Sequence, residues 1–395
     1  MPLAFQLARL PRIDFGPGAR ARIPAIVARH GKRLLLVTGA HSFLDSPHWP
    51  VLQHALADQG IHWEVVRVPG EPSPAFVDDV VRSVKRHDFD CVLGIGGGSA
   101  LDAGKAIAGL LRPGNSVMDH LEGVGPELPY HGPATPFIAV PTTAGTGSEA
   151  TKNAVLSRQG LGGFKKSFRD EQLVPDYAIV DPDLLEACPP AVVAANGMDA
   201  FTQLLESYVS SKSNPFTDAL ALSGLAQVRE GLLPWFEGSG DIAPHRAGMA
   251  YAALLSGITL AQVGLGAVHG LAAPLGAFFP IPHGVACGTL LASATRVNLQ
   301  ALGARGPDHP ALGKYAEVGR LLTRASHETD AGACAALLDL MTRWTERLGL
   351  PRLETFGVRE SDVERIVANS RGSSMKTNPV ELTDGEIAGI VRDRL

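Results

Sequence analysis

Gly96, Gly97, Gly98 and Ser99 leave the apolar run CVLGIG and open a helical pattern, GSALDAGKAIAGL. A glycine turn of this kind lets a diphosphate approach backbone N–H groups at the positive end of a helix. Asp102 and Lys105 lie three apart and share one face of that helix. The spacing matches neither GxGxxG nor GxxxxGK[ST], and a tight strand-to-helix turn would use the same small residues. A second cluster, PTTAGTGSEAT, follows another apolar run and offers the hydroxyls of Thr142, Thr143, Thr146 and Ser148 beside Gly145 and Gly147. In a parallel sheet both loops would sit beyond carboxyl strand ends and could line one cleft, although Ser/Thr/Gly clusters also mark ordinary turns. A third cluster has metal-ligand chemistry. Asp199 and Gln203 are four apart on one helical face, with Glu206 a turn further on, and His269 and His283 each precede a glycine in apolar, small-residue surroundings. One carboxylate and two imidazoles suit a divalent ion such as iron or zinc, and the Gln203 amide oxygen is a weaker fourth donor. Two satisfied core histidines and an aspartate near a helix start would account for the same residues.

These residues need elements to hold them. RLLLVTG (33–39), HWEVVRV (62–68), CVLGIGGG (91–98), FIAVP (137–141) and AIVDP (178–182) are predicted strands, and helices are expected over 49–60 and 72–87. This alternation predicts a parallel sheet covered on both faces. After Pro182 the periodicity becomes helical almost to Leu395, and Asp183 with Glu186 reads as a capping box opening the first helix there. The expected division is an α/β Rossmann-like domain over 1–183 and an all-α domain over 184–395.

Composition narrows the function. With 35 Lys+Arg against 40 Asp+Glu, the net charge of -5 provides no positive field for nucleic acid. The four cysteines Cys91, Cys188, Cys287 and Cys334 include no CxxC pair, so reduced thiols are expected. MPLAFQLARLPRIDF lacks the features of a secretion signal, and the apolar stretch 249–279 is broken by Gln262, His269 and glycines. A cytoplasmic protein with no membrane segment is the expectation.

GGGSALDAGKA, PTTAGTGSEAT, AIVDPDLL, GMDAFTQLLESYVS and VHGLAAPLGAFFPIPHGVACG stand in the order and approximate spacing of the iron-containing, group III alcohol dehydrogenase family, which the chain resembles from PRIDFGPGA (11–19) to TNPVELTDGEI (377–387). The resemblance implies the dehydroquinate synthase-like fold, with a nucleotide-binding α/β half, a helical metal-binding half and an active site in the cleft between them. It implies hydride transfer between NAD or NADP and a small-molecule alcohol or aldehyde, and a homodimer. Carried over by residue, Gly96, Gly97, Gly98, Ser99 and Asp102 would hold the cofactor diphosphate region. Thr142, Thr143 and Thr146 would flank adenine, diphosphate and nicotinamide ribose, while Gly39 and Ser42 at the first strand end would face the adenosine ribose. Asp199, His269 and His283 match three of the family's four metal ligands.

The departures bear on chemistry. Gln203 stands where the family's usual fourth ligand is histidine, and Ala273 stands where a second histidine commonly lies near the substrate. A maleylacetate-reductase-like enzyme and a nucleotide-binding homologue without dehydrogenase turnover are the alternatives, and a dehydroquinate-synthase-like lyase is disfavoured. Gly39 presents no carboxylate to repel a 2′-phosphate, while Ser42 and a protonated His41 could contact one, so tolerance of NADP is expected. Lys165 and Lys166 could serve a phosphate or acidic substrate, or form a solvated pair on a hairpin.

Overall fold

The computed structural model describes residues 4–160 and 162–395. The chain forms two compact units. One comprises Leu7–Arg158 and Lys165–Cys188, and the other is built on Pro189–Leu395 together with residues 4–6, 159–160 and 162–164.

The first unit carries β1 (Arg12–Phe15), α1 (Ile23–His30), β2 (Arg33–Gly39), α2 (His48–Asp58), β3 (His62–Val68), α3 (Pro74–Val84), β4 (Cys91–Gly96), α4 (Gly98–Leu110), β5 (Phe137–Pro141), β6 (Asn153–Arg158), β7 (Phe164–Arg169) and β8 (Tyr177–Val180). Six strands form a parallel sheet in the order β1-β8-β5-β4-β2-β3, and β6 pairs with β7 apart from it. Strands β4 and β5 are buried throughout, as is Leu34–Val37 of β2. Their unbroken apolar runs are what two covered faces demand. From β2 the chain moves to β3 on one side, then returns to β4 and continues through β5 to β8 on the other. The direction reverses between β2 and β4, the switch point at which open α/β sheets leave a crevice beyond their carboxyl ends.

Helix α4 lies close to this sheet because it carries glycine where the sheet presents Phe137. A Cβ on Gly104, or on Gly94 of β4, would fall 2.9 Å from the Phe137 ring. Alanine at either position would have to push the ring aside.

The expected capping box at Asp183 and Glu186 does not open the first long helix. Asp181 is the cap instead. It accepts from Asp183 N over a short 3-10 turn, Pro182–Leu185, and its buried carboxylate also takes the Gly18 and Arg20 amides and the Arg20 guanidinium. That carboxylate fastens the end of β8 to the turn after β1, so the 3-10 turn stays with the sheet unit. Helix α5 begins only at Pro190, behind Pro189, and the units divide at 188. The strand β1 was not read from sequence; Lys165 and Lys166, placed there on a possible hairpin, lie on β7 of the β6–β7 pair.

The second unit is helical: α5 (Pro190–Val209), α6 (Pro215–Glu237), α7 (Ile242–Val263), α8 (Ala267–Phe278), α9 (His283–Arg305), α10 (Pro310–Thr323), α11 (Asp330–Arg347), α12 (Val363–Ala368) and α13 (Asp384–Arg392). Its centre is α5, with an unbroken buried run from Gly197 to Val209. Such a helix needs apolar neighbours on every side, and small residues let them approach. A Cβ on Gly284 of α9 would sit 2.4 Å from Ala195 O, one on Gly288 would sit 2.8 Å from the Met198 side chain, and one on Gly197 would meet Leu232 of α6. Among the described residues no single helix is long and apolar enough to cross a membrane; α7 and α8 pass such a test only jointly, and they bend by 100°.

Candidate functional site

At the carboxyl edge of the sheet, the ends of β2, β4 and β5 lie side by side. Thr142 N donates to Gly96 O at 2.9 Å, and a Cβ on Gly96 would lie 3.4 Å from Gly39 N and 2.6 Å from the Ala100 Cβ. Gly97 and Gly98 face the threonine loop: an added Cβ would be 3.4 Å from Thr143 and 2.7 Å from the Thr146 methyl. Helix α4 starts at Gly98 without a side-chain cap. Its first N–H groups thus retain the capacity to take an anion. Gly97, Gly98, Ser99, Thr142, Thr143 and Thr146 stay partly exposed although their neighbours are buried.

The same loop is stapled from beneath. Lys105 is fully buried and shares its three Nζ protons among Ser148 O (2.7 Å), Ser148 Oγ (3.0 Å), Thr151 Oγ1 (3.0 Å) and Asn153 O (2.7 Å). Ser148 Oγ in turn donates to Asp102 Oδ1 at 2.6 Å. Burial lowers the Lys105 ammonium to about 8, against Asp102 and Glu149, which raise it. Burial also raises Asp102, and it lifts the Glu149 carboxyl to about 7. Asp102 and Lys105 therefore shape the threonine loop from the α4 side. Ser42 lies in ordinary contact range of a Cβ placed on Gly39 (3.9 Å), and the exposed His41 is paired with Asp45 at 3.6 Å. Lys165 forms an ion pair with Glu71 at 2.6 Å.

In the helical unit, α5, α8 and α9 bring four ligand-type atoms together. Asp199 Oδ1 lies 3.3 Å from His269 Nε2 and 3.8 Å from His283 Nε2. Cys287 Sγ lies 3.6 Å from His269 Nε2 and 3.8 Å from His283 Nε2. One atom from each of the four residues falls within 4.8 Å of every other. Asp199 is 1% exposed, and its Oδ2 has no hydrogen-bond partner among the described residues. Burial alone would raise the Asp199 carboxyl, but His283, His269 and Cys287 overcome it and hold the group near 2. Burial pushes the Cys287 thiol up to about 12. Burial opposes charge on His269 too, yet Cys287, Asp199 and Glu206 keep it well above the ordinary imidazole value.

Glu206 fixes which nitrogen of His269 faces this cluster. A carboxylate can only accept, so the 2.6 Å contact of Glu206 Oε2 makes His269 Nδ1 a donor and leaves Nε2 as the nitrogen that faces Asp199. Gln203 is one turn beyond Asp199 on α5, but its Oε1 accepts the Ser256 hydroxyl at 2.6 Å. The fourth donor expected from sequence thus already accepts one hydrogen bond. Cys287, set aside as an ordinary thiol, stands in the cluster instead. The signal for it was present, because His283 and Cys287 are four apart and share a helix face as Asp199 and Gln203 do.

Comparison with known proteins gives this constellation a family. Residues 11–182 match the model "Iron-containing alcohol dehydrogenase", and residues 193–395 match "Fe-containing alcohol dehydrogenase family, C-terminal". The chain belongs to the iron-containing alcohol dehydrogenase family. Alcohol dehydrogenase 4 of Saccharomyces cerevisiae (strain YJM789) is 33% identical over 344 residues, 86% of this chain and 85% of that one. The NAD-dependent methanol dehydrogenase of Bacillus methanolicus is 30% identical over 328 residues, 82% of each chain. The solved structure of a 1,3-propanediol oxidoreductase aligns with a TM-score of 0.86 at 29% identity, covering 99% of this chain and all of that one. As an iron-containing alcohol dehydrogenase family member, the chain is an oxidoreductase of the alcohol dehydrogenase type, and its fold is the one the sequence resemblance implied.

Proposed function

We propose that this protein transfers hydride between a nicotinamide cofactor, NAD or NADP, and a small alcohol/aldehyde pair, using a divalent ion held by Asp199, His269 and His283. The observation that carries the reading is the convergence of His269 and His283 on Asp199 Oδ1, beside a buried Oδ2 of the same carboxylate that lacks a hydrogen-bond partner among the described residues. An ionised carboxylate and two imidazoles, one with its outer nitrogen held by a carboxylate, are a donor set that fits such an ion. When bound, the ion supplies polarisation of the substrate oxygen and the nicotinamide supplies the redox chemistry.

The chain's own residues do the rest. The backbone of Gly96–Ser99 at the uncapped start of α4 takes the diphosphate, with Thr142, Thr143 and Thr146 supplying hydroxyls along the cofactor. Asp102 and Lys105 keep the threonine loop in register with that turn through Ser148. Gly39 and Ser42 border the adenosine ribose, where Gly39 presents no carboxylate against a 2′-phosphate; both NADH and NADPH are therefore accepted. His41, paired with Asp45, is a weaker phosphate contact than its type alone suggests. With Ala273 one turn beyond His269 on α8, no imidazole is available at that position to carry the substrate proton. Water or the ribose hydroxyls take over that transfer.

The test is metal analysis of protein purified without chelators, followed by initial rates on a panel of aldehydes with NADH and with NADPH. Bound divalent metal and aldehyde-dependent oxidation of at least one cofactor are expected. Nucleotide binding without turnover on any aldehyde, at full metal occupancy, would overturn the reading in favour of a non-catalytic homologue.

A further inference from the structure

We propose that Cys287 is the fourth protein ligand of the metal site, taking the position that Gln203 leaves to a hydrogen bond with Ser256. This rests on the site proposed above and adds the identity of the ion, zinc.

Four of the six inter-ligand distances match those of one tetrahedron. With Zn–N and Zn–O near 2.0–2.1 Å and Zn–S near 2.3 Å, tetrahedral ligands lie about 3.4 Å apart for nitrogen and oxygen and about 3.6 Å for nitrogen and sulfur. The Asp199 to His269 and His283 separations are 3.3 and 3.8 Å, and the Cys287 to His269 and His283 separations are 3.6 and 3.8 Å. The cluster thus has ion-binding proportions. Packing alone does not ask for this arrangement. A thiol behaves as a small apolar group, yet this one is wholly buried against an aspartate and two histidines.

Position follows from the helix. His283 opens α9 and Cys287 lies one turn later, on the side where Gly284 and Gly288 let α9 approach α5. Meanwhile Gln203 Oε1 lies 2.6 Å from the Ser256 hydroxyl, whose single proton is shared with Ala253 O within α7. On binding, the Cys287 S–H proton passes to solvent as the sulfur–metal bond forms, so the site holds one thiolate, one carboxylate and two neutral imidazoles. Thiolate with imidazole is a donor set suited to zinc, and the substrate oxygen would join these four as a fifth ligand.

Cobalt(II) reports the sulfur directly. The full-length chain, stripped with a chelator and titrated with cobalt(II), is expected to bind one equivalent and to show a sulfur-to-cobalt charge-transfer band in the near ultraviolet. Cys287→Ser should abolish that band and weaken zinc in a chelator competition by more than about 100-fold, since even the groups that only hydrogen-bond a ligand cost up to that much. X-ray absorption of the zinc form should give one sulfur at about 2.3 Å. Stoichiometric cobalt binding without the band, or a band that persists in Cys287→Ser, would overturn the Cys287 assignment while leaving Asp199, His269 and His283 as the site. Failure of the wild-type chain to bind cobalt or zinc at all would overturn both. Should Cys287→Ser misfold, the wild-type cobalt spectrum and zinc absorption still decide.

Discussion

Glu206 Oε2 lies 2.6 Å from His269 Nδ1 while the other oxygen of the same carboxylate accepts the Val268 backbone N–H at 2.7 Å. One side chain on α5 therefore caps α8 and orients the imidazole that α8 carries. Gly266 permits it, since a Cβ there would stand 2.9 Å from Glu206 Oε1 and 2.8 Å from Asn378 Oδ1, which accepts from Ala267 N. Glu206→Ala is expected to lower zinc affinity by about 10–100-fold, the usual cost of losing such a partner. Glu206→Gln should recover part of it, because an amide oxygen still accepts from Nδ1. Chelator competition on both variants measures this, and equal losses would mean that the carboxylate matters only for folding.

His283→Ala and Asp199→Asn should each remove most bound metal and most turnover, because a site built on so few protein atoms cannot spare one. Metal content by elemental analysis and initial rate with an accepted aldehyde check this. Wild-type metal content in His283→Ala would eliminate the site.

Gly98→Ala tests the phosphate turn. The new Cβ would lie 2.7 Å from the Thr146 methyl, so loop and turn must separate where the cofactor approaches. We expect KM for the cofactor to rise by about tenfold or more, about 1.4 kcal/mol, with a smaller change in kcat. An unchanged KM would place the diphosphate elsewhere.

Glu149 gives the sheet unit a pH signature. Burial raises its carboxyl to about 7 from the ordinary 4.5, against its own backbone hydrogen bond and Lys105, which lower it. The folded chain then holds a proton in that interval that the unfolded chain releases. The stability this confers is complete below 4.5 and is lost as pH rises toward 7. Glu149→Gln should remove the dependence, with its advantage over wild type growing between those limits to at most about 3 kcal/mol. Thermal unfolding of both proteins across this range is the check; parallel curves would refute it.

Gly39→Asp tests cofactor discrimination. A Cβ at Gly39 meets only Ser42 Oγ, at 3.9 Å, so the substitution fits. A carboxylate beside the ribose should depress kcat/KM for NADPH far more than for NADH, and equal losses would show that this strand end does not face the ribose.

The glycine turn and threonine loop were legible because strand-helix alternation and small-residue turns are local signals. Their stitching by Lys105 was not, since its four acceptors come from 43 to 48 residues downstream. Asp199, His269 and His283 could be named from type, apolar context and family resemblance. Cys287 was missed for want of a cysteine partner, although in space its partners are imidazoles. Short β1 escaped notice because its four residues pair only with distant β8, and the capping box at Asp183 failed because Asp181 was already serving that turn.

Transfer of deuterium from a reduced nicotinamide cofactor, labelled at its transferring carbon, to an aldehyde tests the central claim most directly. Mass spectrometry of the alcohol formed by chelator-stripped and zinc-reloaded enzyme reads the result. Singly deuterated alcohol is expected from the reloaded enzyme and little from the stripped one. Equal label from both would contradict a metal-dependent transfer, and no label from either would contradict hydride transfer by this chain.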